Sequence, residues 1–136
     1  MIGVVVVTHG QLATELLNAA EAIVGDLPRF AAVSIGWHDD VDDARAEIQR
    51  AINRYAEAEG VLILTDMFGG TPTNLSLSCL EGGNIEIVTG VNLPMLIKLA
   101  GMKDPNDVVA VARELCETGR SAIHVATDLI RGDAKH

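Results

Sequence analysis

Aromatic and basic residues are both scarce in this sequence. Phe, Trp and Tyr make up 3% of its 136 residues, so few rings are available to stack on a flavin or a nucleobase. Lys and Arg together number 10 against 19 Asp and Glu, which gives a net charge of −9. A chain this acidic is not expected to bind nucleic acid or an anionic membrane.

Cysteine motifs, long apolar runs and cofactor motifs are also lacking. Cys79 and Cys116 have neither CxxC nor metal-ligand spacing, and we interpret them as buried free thiols of a reducing compartment. No apolar run is long enough to cross a bilayer, and the first one has no preceding basic region, so we expect a cytoplasmic protein without a signal peptide. The sequence has no P-loop, kinase glycine loop or metal-ligand cluster, so no cofactor and no metal are expected.

The hydrophobic residues, 49% of the chain, are mainly Val, Ile, Leu and Ala. Short apolar runs predict strands at residues 2–8, 31–35, 61–65 and 85–89. Helical spacing predicts helices over 11–24 and 41–55, a helix with Thr71 as N-cap and Pro72 as its first residue, and helices opened by Asn92 and by Asp104 with Pro105. We predict one domain over residues 1–130, followed by a polar tail at 131–136.

Alternating strands and helices predict an α/β fold with a mostly parallel, doubly wound sheet. Because crossovers are right-handed and both faces need cover, the strand order 2-1-3-4 is favoured, with a crevice between strands 1 and 3. A further strand is predicted at 121–127, where Ile123, His124 and Val125 alternate. His124 is therefore interpreted as a sheet-face or interface residue.

Two residues with catalytic chemistry come directly at the ends of buried strands. His9 ends the first strand and Asp66 follows the third, and the predicted topology places these strand ends side by side across the crevice. A histidine whose tautomer is fixed by a carboxylate can act as a nucleophile or base. Either residue alone would more often be structural, so the prediction depends on the pair.

Glycines and a hydroxyl beside the pair predict an anion cradle. Gly69, Gly70 and Thr71 lead into a helix N-terminus, where free N–H groups and the helix dipole favour an anion. Gly10, before the first helix, is interpreted as a similar device. Nucleophile, carboxylate and cradle together indicate phosphoryl transfer, in which positioning and charge stabilisation dominate.

Exposed aromatic side chains at the same sheet edge predict a docking face for a protein partner. Trp37 and His38 follow the second strand, and Phe68 lies in the turn after the third. The acidic neighbours Asp39 and Asp40 would tune the approach of that partner. The alternative is that these residues form an ordinary loop.

Three longer motifs carry a resemblance to a known family. They are Val7-Thr8-His9-Gly10, the stretch from Leu64 to Asn74 (LTDMFGGTPTN), and the stretch from Thr89 to Leu96 (TGVNLPML). With them the chain resembles, over essentially its whole length, the EIIA component of the mannose family of the bacterial phosphoenolpyruvate-dependent sugar phosphotransferase system.

The resemblance implies roles for the site residues and the partners. It implies that His9 is phosphorylated by a phosphohistidine carrier protein and passes the group to a IIB component, that Asp66 pairs with the His9 ring, and that Thr71 touches the phosphoryl group. It also implies a homodimer in which the last strand, here residues 121–127, is exchanged between subunits. Contact with a membrane would be only through transporter components.

Three alternatives stay open. The module could serve regulation, with the phosphorylation state of His9 controlling a partner protein, and the same residue would then be used. It could be the phosphoryl donor subunit of a dihydroxyacetone kinase, against which the Gly-Gly-Thr-Pro-Thr-Asn stretch argues. A flavodoxin-like ligand domain is disfavoured by the low aromatic content. The sugar cannot be identified from these residues.

Overall fold

A computed structural model describes residues 1–81 and 83–132 of the chain. Its sheet contains the strands β1 (Ile2–His9), β2 (Phe30–Ile35), β3 (Gly60–Thr65) and β4 (Ile85–Thr89). Each neighbouring pair is parallel and the order is β2-β1-β3-β4. The predicted α/β fold and strand order are confirmed, and the reversal of winding lies between β1 and β3.

Helices cover both faces of the sheet. They are α1 (Leu12–Val24), α2 (Val41–Asn53), α3 (Gly70–Leu77), α4 (Leu93–Ala100) and α5 (Val108–Ser121). A last helix, α6 (Ala126–Arg131), buries no side chain. Side chains alternate along β1, so Val4 and Val6 pack into the layer with α1, α4 and α5, while Val5 and Val7 pack into the layer with α2 and α3. This two-sided burial is why the strands are continuous apolar runs.

Side-chain caps decide where several helices begin. Asp40 accepts the Asp42 N–H at 2.7 Å at the start of α2, and Asn92 accepts the Met95 N–H at 3.2 Å at the start of α4. The start predicted for α5 was wrong. Asp107, rather than Asp104, caps this helix by accepting the Ala110 N–H at 3.1 Å.

The strand predicted at 121–127 is absent from the part of the chain that the structure describes. Helix α5 continues to Ser121 and α6 begins at Ala126, so the short alternation of Ile123, His124 and Val125 falls in the connection between two helices. A strand needs a hydrogen-bonded neighbour. Ile123 and Val125 are 78% and 64% exposed, and His124 is exposed rather than on a sheet face.

The structure also bears on the predictions for the cysteines, for membrane-spanning segments and for the polar tail. Cys79 is buried, Cys116 is half-buried, and both are free. No helix among the described residues is long and apolar enough to pass through a bilayer. Of the polar tail predicted at 131–136, residues 133–136 lie outside the described residues, and Arg131 belongs to α6.

Candidate active site

His9 and Asp66 lie in contact at the carboxyl edge of the sheet. His9 is the last residue of β1, and Asp66 follows the last residue of β3, the neighbouring strand. The Asp66 Oδ2 atom accepts the His9 backbone N–H at 2.9 Å and lies 2.7 Å from the His9 Nδ1 atom. One carboxylate oxygen therefore fixes both the backbone and the ring of the same histidine.

The surroundings of Asp66 keep its carboxylate ionised. Burial is the largest single influence and raises the pKa of Asp66, but the hydrogen bonds from the backbone and ring of His9 and the electrostatic attraction between ring and carboxylate together outweigh it. The pKa of Asp66 therefore lies below its ordinary value. An ionised carboxylate can only accept, so the proton of the contact belongs to the His9 Nδ1 atom.

The other ring nitrogen of His9 is left with its lone pair. With the proton on Nδ1, the neutral ring has its acceptor at Nε2. The His9 side chain is 51% exposed. A Cβ atom built on Gly70 would lie 3.4 Å from Nε2 and 3.2 Å from Cε1, so glycine keeps the space beside the free nitrogen open. The site can thus offer a nucleophilic nitrogen to a group that arrives from outside.

Helix α3 begins directly beside this nitrogen. Gly69 and Gly70 have φ angles of +85° and +79°, a region that favours glycine, and Gly69 occupies the N-cap position. Helix α3 therefore begins at Gly70, two residues before the start predicted at Pro72, and Thr71 lies in its first turn rather than at the N-cap. The first N–H groups of a helix have no partner within the helix, so they can bind an anion.

Gly10 differs from the two loop glycines. Its φ is +54°, but its N–H donates to the Ile35 carbonyl at 2.8 Å. That donor is already used within the protein, so what Gly10 contributes is the left-handed backbone between β1 and α1. A part for Gly10 in phosphate binding stays a prediction.

The predicted docking residues are exposed at the same edge. Trp37 is 92% exposed and Phe68 is 82% exposed, and the His38 ring packs edge-on against Trp37 with centroids 6.3 Å apart. Asp39 and Asp40 are both engaged locally, with the Gly36 N–H and at the start of α2 respectively. Their carboxylates therefore shape this loop as well as adding charge to it.

Sequence reasoning missed a set of buried hydroxyls beneath the site. Thr65 and Thr73 contact each other through their Oγ1 atoms at 2.8 Å, and the Thr8 Oγ1 atom accepts the Ala13 N–H at 2.7 Å. All three side chains are at most 2% exposed. Thr8 and Thr65 are polar residues near the ends of otherwise apolar strands, which is the sequence signal that could have found them.

The relation to known proteins follows from a family model. The model EIIA-man, described as "PTS system fructose IIA component", matches residues 3–116. The chain belongs to this family. Its members are IIA components of the phosphotransferase system, so family membership agrees with the phosphoryl-transfer chemistry that the site geometry supports. The resemblance drawn from the three sequence motifs is confirmed.

Curated relatives and a solved structure agree with this placement. The mannose-specific EIIAB component of Escherichia coli K12 is 35% identical over 132 residues, which is 90% of this chain and 38% of that protein. The sorbose-specific EIIA component of Lacticaseibacillus casei is 31% identical over 71% of this chain and 70% of its own length. The mannose/sorbose-specific IIA subunit of Enterococcus faecalis superposes with a TM-score of 0.82 at 28% identity, over 90% of this chain and 92% of that one.

The chain spans well under half the length of the EIIAB relative. Within residues 1–81 and 83–132, no group of three or more His, Cys, Asp and Glu side chains is arranged to hold a metal ion.

The lowered pKa of Asp66 predicts how stability depends on pH. A carboxylate whose pKa is lower in the folded than in the unfolded chain stabilises the fold fully above the unfolded value, about 3.9, and this stabilisation is lost as the pH falls through the folded value. Urea denaturation between pH 7 and pH 2 should therefore show a steeper loss below about pH 4 for the wild type than for Asp66→Asn. Asp26→Asn, which removes an exposed carboxylate, controls for net charge. Equal slopes for wild type and Asp66→Asn would contradict the pairing.

Proposed function

We propose that the chain is a phosphocarrier that accepts a phosphoryl group on the Nε2 atom of His9 and passes it on to a second protein. The observation that carries the proposal is the contact of the His9 Nδ1 atom with Asp66, which leaves Nε2 free. That nitrogen lies beside Gly70, the first residue of α3. Membership of the EIIA-man family supports a phosphohistidine carrier protein as the donor and a IIB component as the acceptor.

The transfer can be written with these groups alone. The Nε2 lone pair attacks the phosphorus of the donor's phosphohistidine, the N–P bond of the donor breaks, and the donor ring leaves with the electron pair. The His9 ring becomes cationic as the new N–P bond forms, and the Asp66 carboxylate stabilises that charge through Nδ1–H. The phosphoryl oxygens would face the free N–H groups of Gly70 and Thr71 and the Thr71 hydroxyl. Donor and acceptor are both imidazoles, so the step is close to thermoneutral and runs in both directions.

The names of the relatives support a place in sugar uptake. They are described as specific for mannose, fructose and sorbose. Chemistry at His9 does not involve the sugar, so the site itself does not select one. We place the protein in the cytoplasm, where phosphoenolpyruvate is available, and propose that residues 1–130 act as one EIIA domain.

Phosphorylation assays with single histidine variants test this function. The wild type, incubated with radiolabelled phosphoenolpyruvate, enzyme I and the phosphohistidine carrier, should gain acid-labile phosphate, and nitrogen NMR should place it on Nε2. His9→Ala should abolish labelling without unfolding the chain, because the ring is half exposed and its removal leaves no core cavity. His124→Ala, at another exposed histidine, is the matched control. Normal labelling of His9→Ala, or label on Nδ1, would refute the proposal.

Two neighbouring glycines allow the space around Nε2 to be tested separately from backbone strain. Alanine at Gly69 or at Gly70 is strained by the positive φ, at a cost on the order of 1–3 kcal/mol each. The Gly70 methyl would also contact the His9 ring, whereas nothing lies within 4 Å of the Gly69 methyl. Both variants should lose similar stability, but Gly70→Ala should lose much more of the phosphorylation rate, about 10²-fold, because the acceptor geometry is displaced. Equal rates in the two variants would show that this space is not used.

The exposed aromatic side chains are the proposed docking face. Trp37 and Phe68 are almost fully exposed on the loops that follow β2 and β3, on either side of the strand end that carries His9. Exposed aromatic residues often anchor interfaces. A partner seated on them, and on His38, would bring its own histidine to the open side of the His9 ring.

We further propose that the chain forms a homodimer through the edge of β4. Ile123 and Val125 are exposed, and a cavity of about 550 Å³ beside β4 is lined by Ile87, Val109 and Ile123. A second copy would cover these apolar side chains, and its residues 121–127 would supply the exchanged strand that the resemblance implies.

Charge at the exposed apolar residues should separate the subunits. In the double variant Ile123→Asp and Val125→Asp, two carboxylates would have to be buried in the proposed interface, so sedimentation should show a monomer where the wild type shows a dimer. Trp37→Asp, on the docking face, should leave the dimer intact. A monomeric wild type, or a dimeric double variant, would contradict the proposed interface.

A further inference from the structure

The loop that carries the site has little support from its own side chains. It runs from Asp66 to Gly69, between β3 and α3. Met67 and Phe68 are 53% and 82% exposed, and the N-cap residue of α3, Gly69, has no side chain with which to bond the helix. Packing of these side chains therefore does little to fix where the Asp66 carboxylate and Gly70 lie relative to His9.

The main-chain carbonyl of Met67 is held from below by buried hydroxyls. The Thr73 Oγ1 atom, on the first turns of α3, donates to the Met67 carbonyl at 2.6 Å. The Thr65 Oγ1 atom lies 2.8 Å from the Thr73 Oγ1 atom and 3.5 Å from the same carbonyl. A hydroxyl has one proton, and that of Thr73 goes to Met67, so Thr65 donates to Thr73.

This chain of hydroxyls joins the three elements that make the site. Thr65 ends β3, Thr73 belongs to α3, and Met67 lies in the loop between them. On its other side Thr65 is tied to the next loop, since its carbonyl accepts the N–H groups of Gly90 and Val91 at 2.9 Å each. The residue enclosed between Thr65 and Met67 is Asp66.

We infer that Thr73 is a positioning residue for phosphoryl transfer: its hydroxyl holds the Met67 carbonyl and thereby keeps Asp66 within hydrogen-bond distance of His9. Thr73 lies in the layer beneath the loop and touches neither His9 nor any reacting atom in this arrangement. It acts through the backbone on both sides of Asp66. The inference rests on the proposed function for its kinetic part, whereas its geometric part concerns the His9–Asp66 contact alone.

A second buried hydroxyl on the same helix shows what a purely structural role looks like. The Ser76 Oγ atom donates to the Pro72 carbonyl at 2.7 Å, within α3, and its side chain is fully buried. It makes no bond to the loop from Asp66 to Gly69. Ser76→Ala therefore removes a buried hydroxyl from α3 without releasing Met67, and it is the matched control for Thr73.

The test compares Thr73→Val, which keeps the shape and removes the hydroxyl, with Thr73→Ser, which keeps the hydroxyl. Phosphorylation by the phosphorylated carrier, at varied carrier concentration, gives kcat and KM, and carbon NMR of the Asp66 carboxyl gives its pKa. Thr73→Val should lower kcat about tenfold or more at nearly unchanged KM, because the acceptor geometry loosens. The pKa of Asp66 should rise toward its ordinary value as the bonds from His9 weaken.

The controls separate this outcome from general destabilisation. Thr73→Ser should restore kcat and the pKa of Asp66, and Ser76→Ala should change neither, even where urea denaturation shows that it is as destabilised as Thr73→Val. If Thr73→Val does not fold, Thr65→Val takes its place, since it removes the donor to Thr73, and a smaller change in the same direction is expected.

Three results would overturn the inference: an unchanged kcat and Asp66 pKa in Thr73→Val, losses in Ser76→Ala equal to those in Thr73→Val, or no recovery in Thr73→Ser. A failure of the proposed function is distinguishable from these. If the wild type takes up no phosphate, the phosphocarrier role fails, while the pKa of Asp66 in the three variants still decides whether Thr73 positions this carboxylate.

Discussion

The site depends on one carboxylate oxygen that binds one histidine twice. The Asp66 Oδ2 atom takes both the backbone N–H and the ring Nδ1 of His9, so the carboxylate fixes where the strand end lies and which ring nitrogen is free. The second oxygen, Oδ1, is buried and has no protein partner among the described residues. Burying a carboxylate with only one oxygen hydrogen-bonded costs free energy, unless an opposite charge nearby interacts with it. A cationic His9 ring would supply that opposite charge, and the carboxylate would stabilise it.

This contact exists only because of the order of the strands. His9 and Asp66 are 57 residues apart in the chain, and no local pattern joins them. They meet because β1 and β3 are parallel neighbours with Val7 opposite Thr65, so that both chains leave the sheet at the same edge. Packing fixes that register, since the Tyr55 ring fills the space beside Gly3 and a slip of β1 by one residue would bring a larger side chain into that space. The packing of the core is therefore what sets the geometry of the site.

The sequence predicts the features that follow from hydrophobic periodicity and from sheet topology. It does not predict the features that depend on local backbone angles or on contacts between distant residues. The apolar strand runs and their order are enough to place His9 beside Asp66. The start of α3 was misplaced because the positive φ angles of Gly69 and Gly70, rather than the Thr71-Pro72 pair, set it. The prediction of a strand at 121–127 was wrong for the single chain, because the alternation over residues 123–125 is too short to form a strand without a hydrogen-bonded neighbouring strand. The hydrogen bond between Thr65 and Thr73 could not be predicted, because it depends on the path of the turn that separates these two residues.

The openness of the site indicates what its substrate must be. The cavity of about 550 Å³ lies beside β4, and His9 is not among the residues that line it. A small molecule is normally bound in a concave site that buries most of its surface, whereas the His9 ring is half exposed at the sheet edge, between loops that carry Trp37 and Phe68. Transfer of a phosphoryl group also needs water kept away from the phosphorus, or hydrolysis competes. Under the proposed function, the described residues supply charge and orientation at His9 but leave its ring half exposed, so the cover would come from the protein that delivers or removes the group.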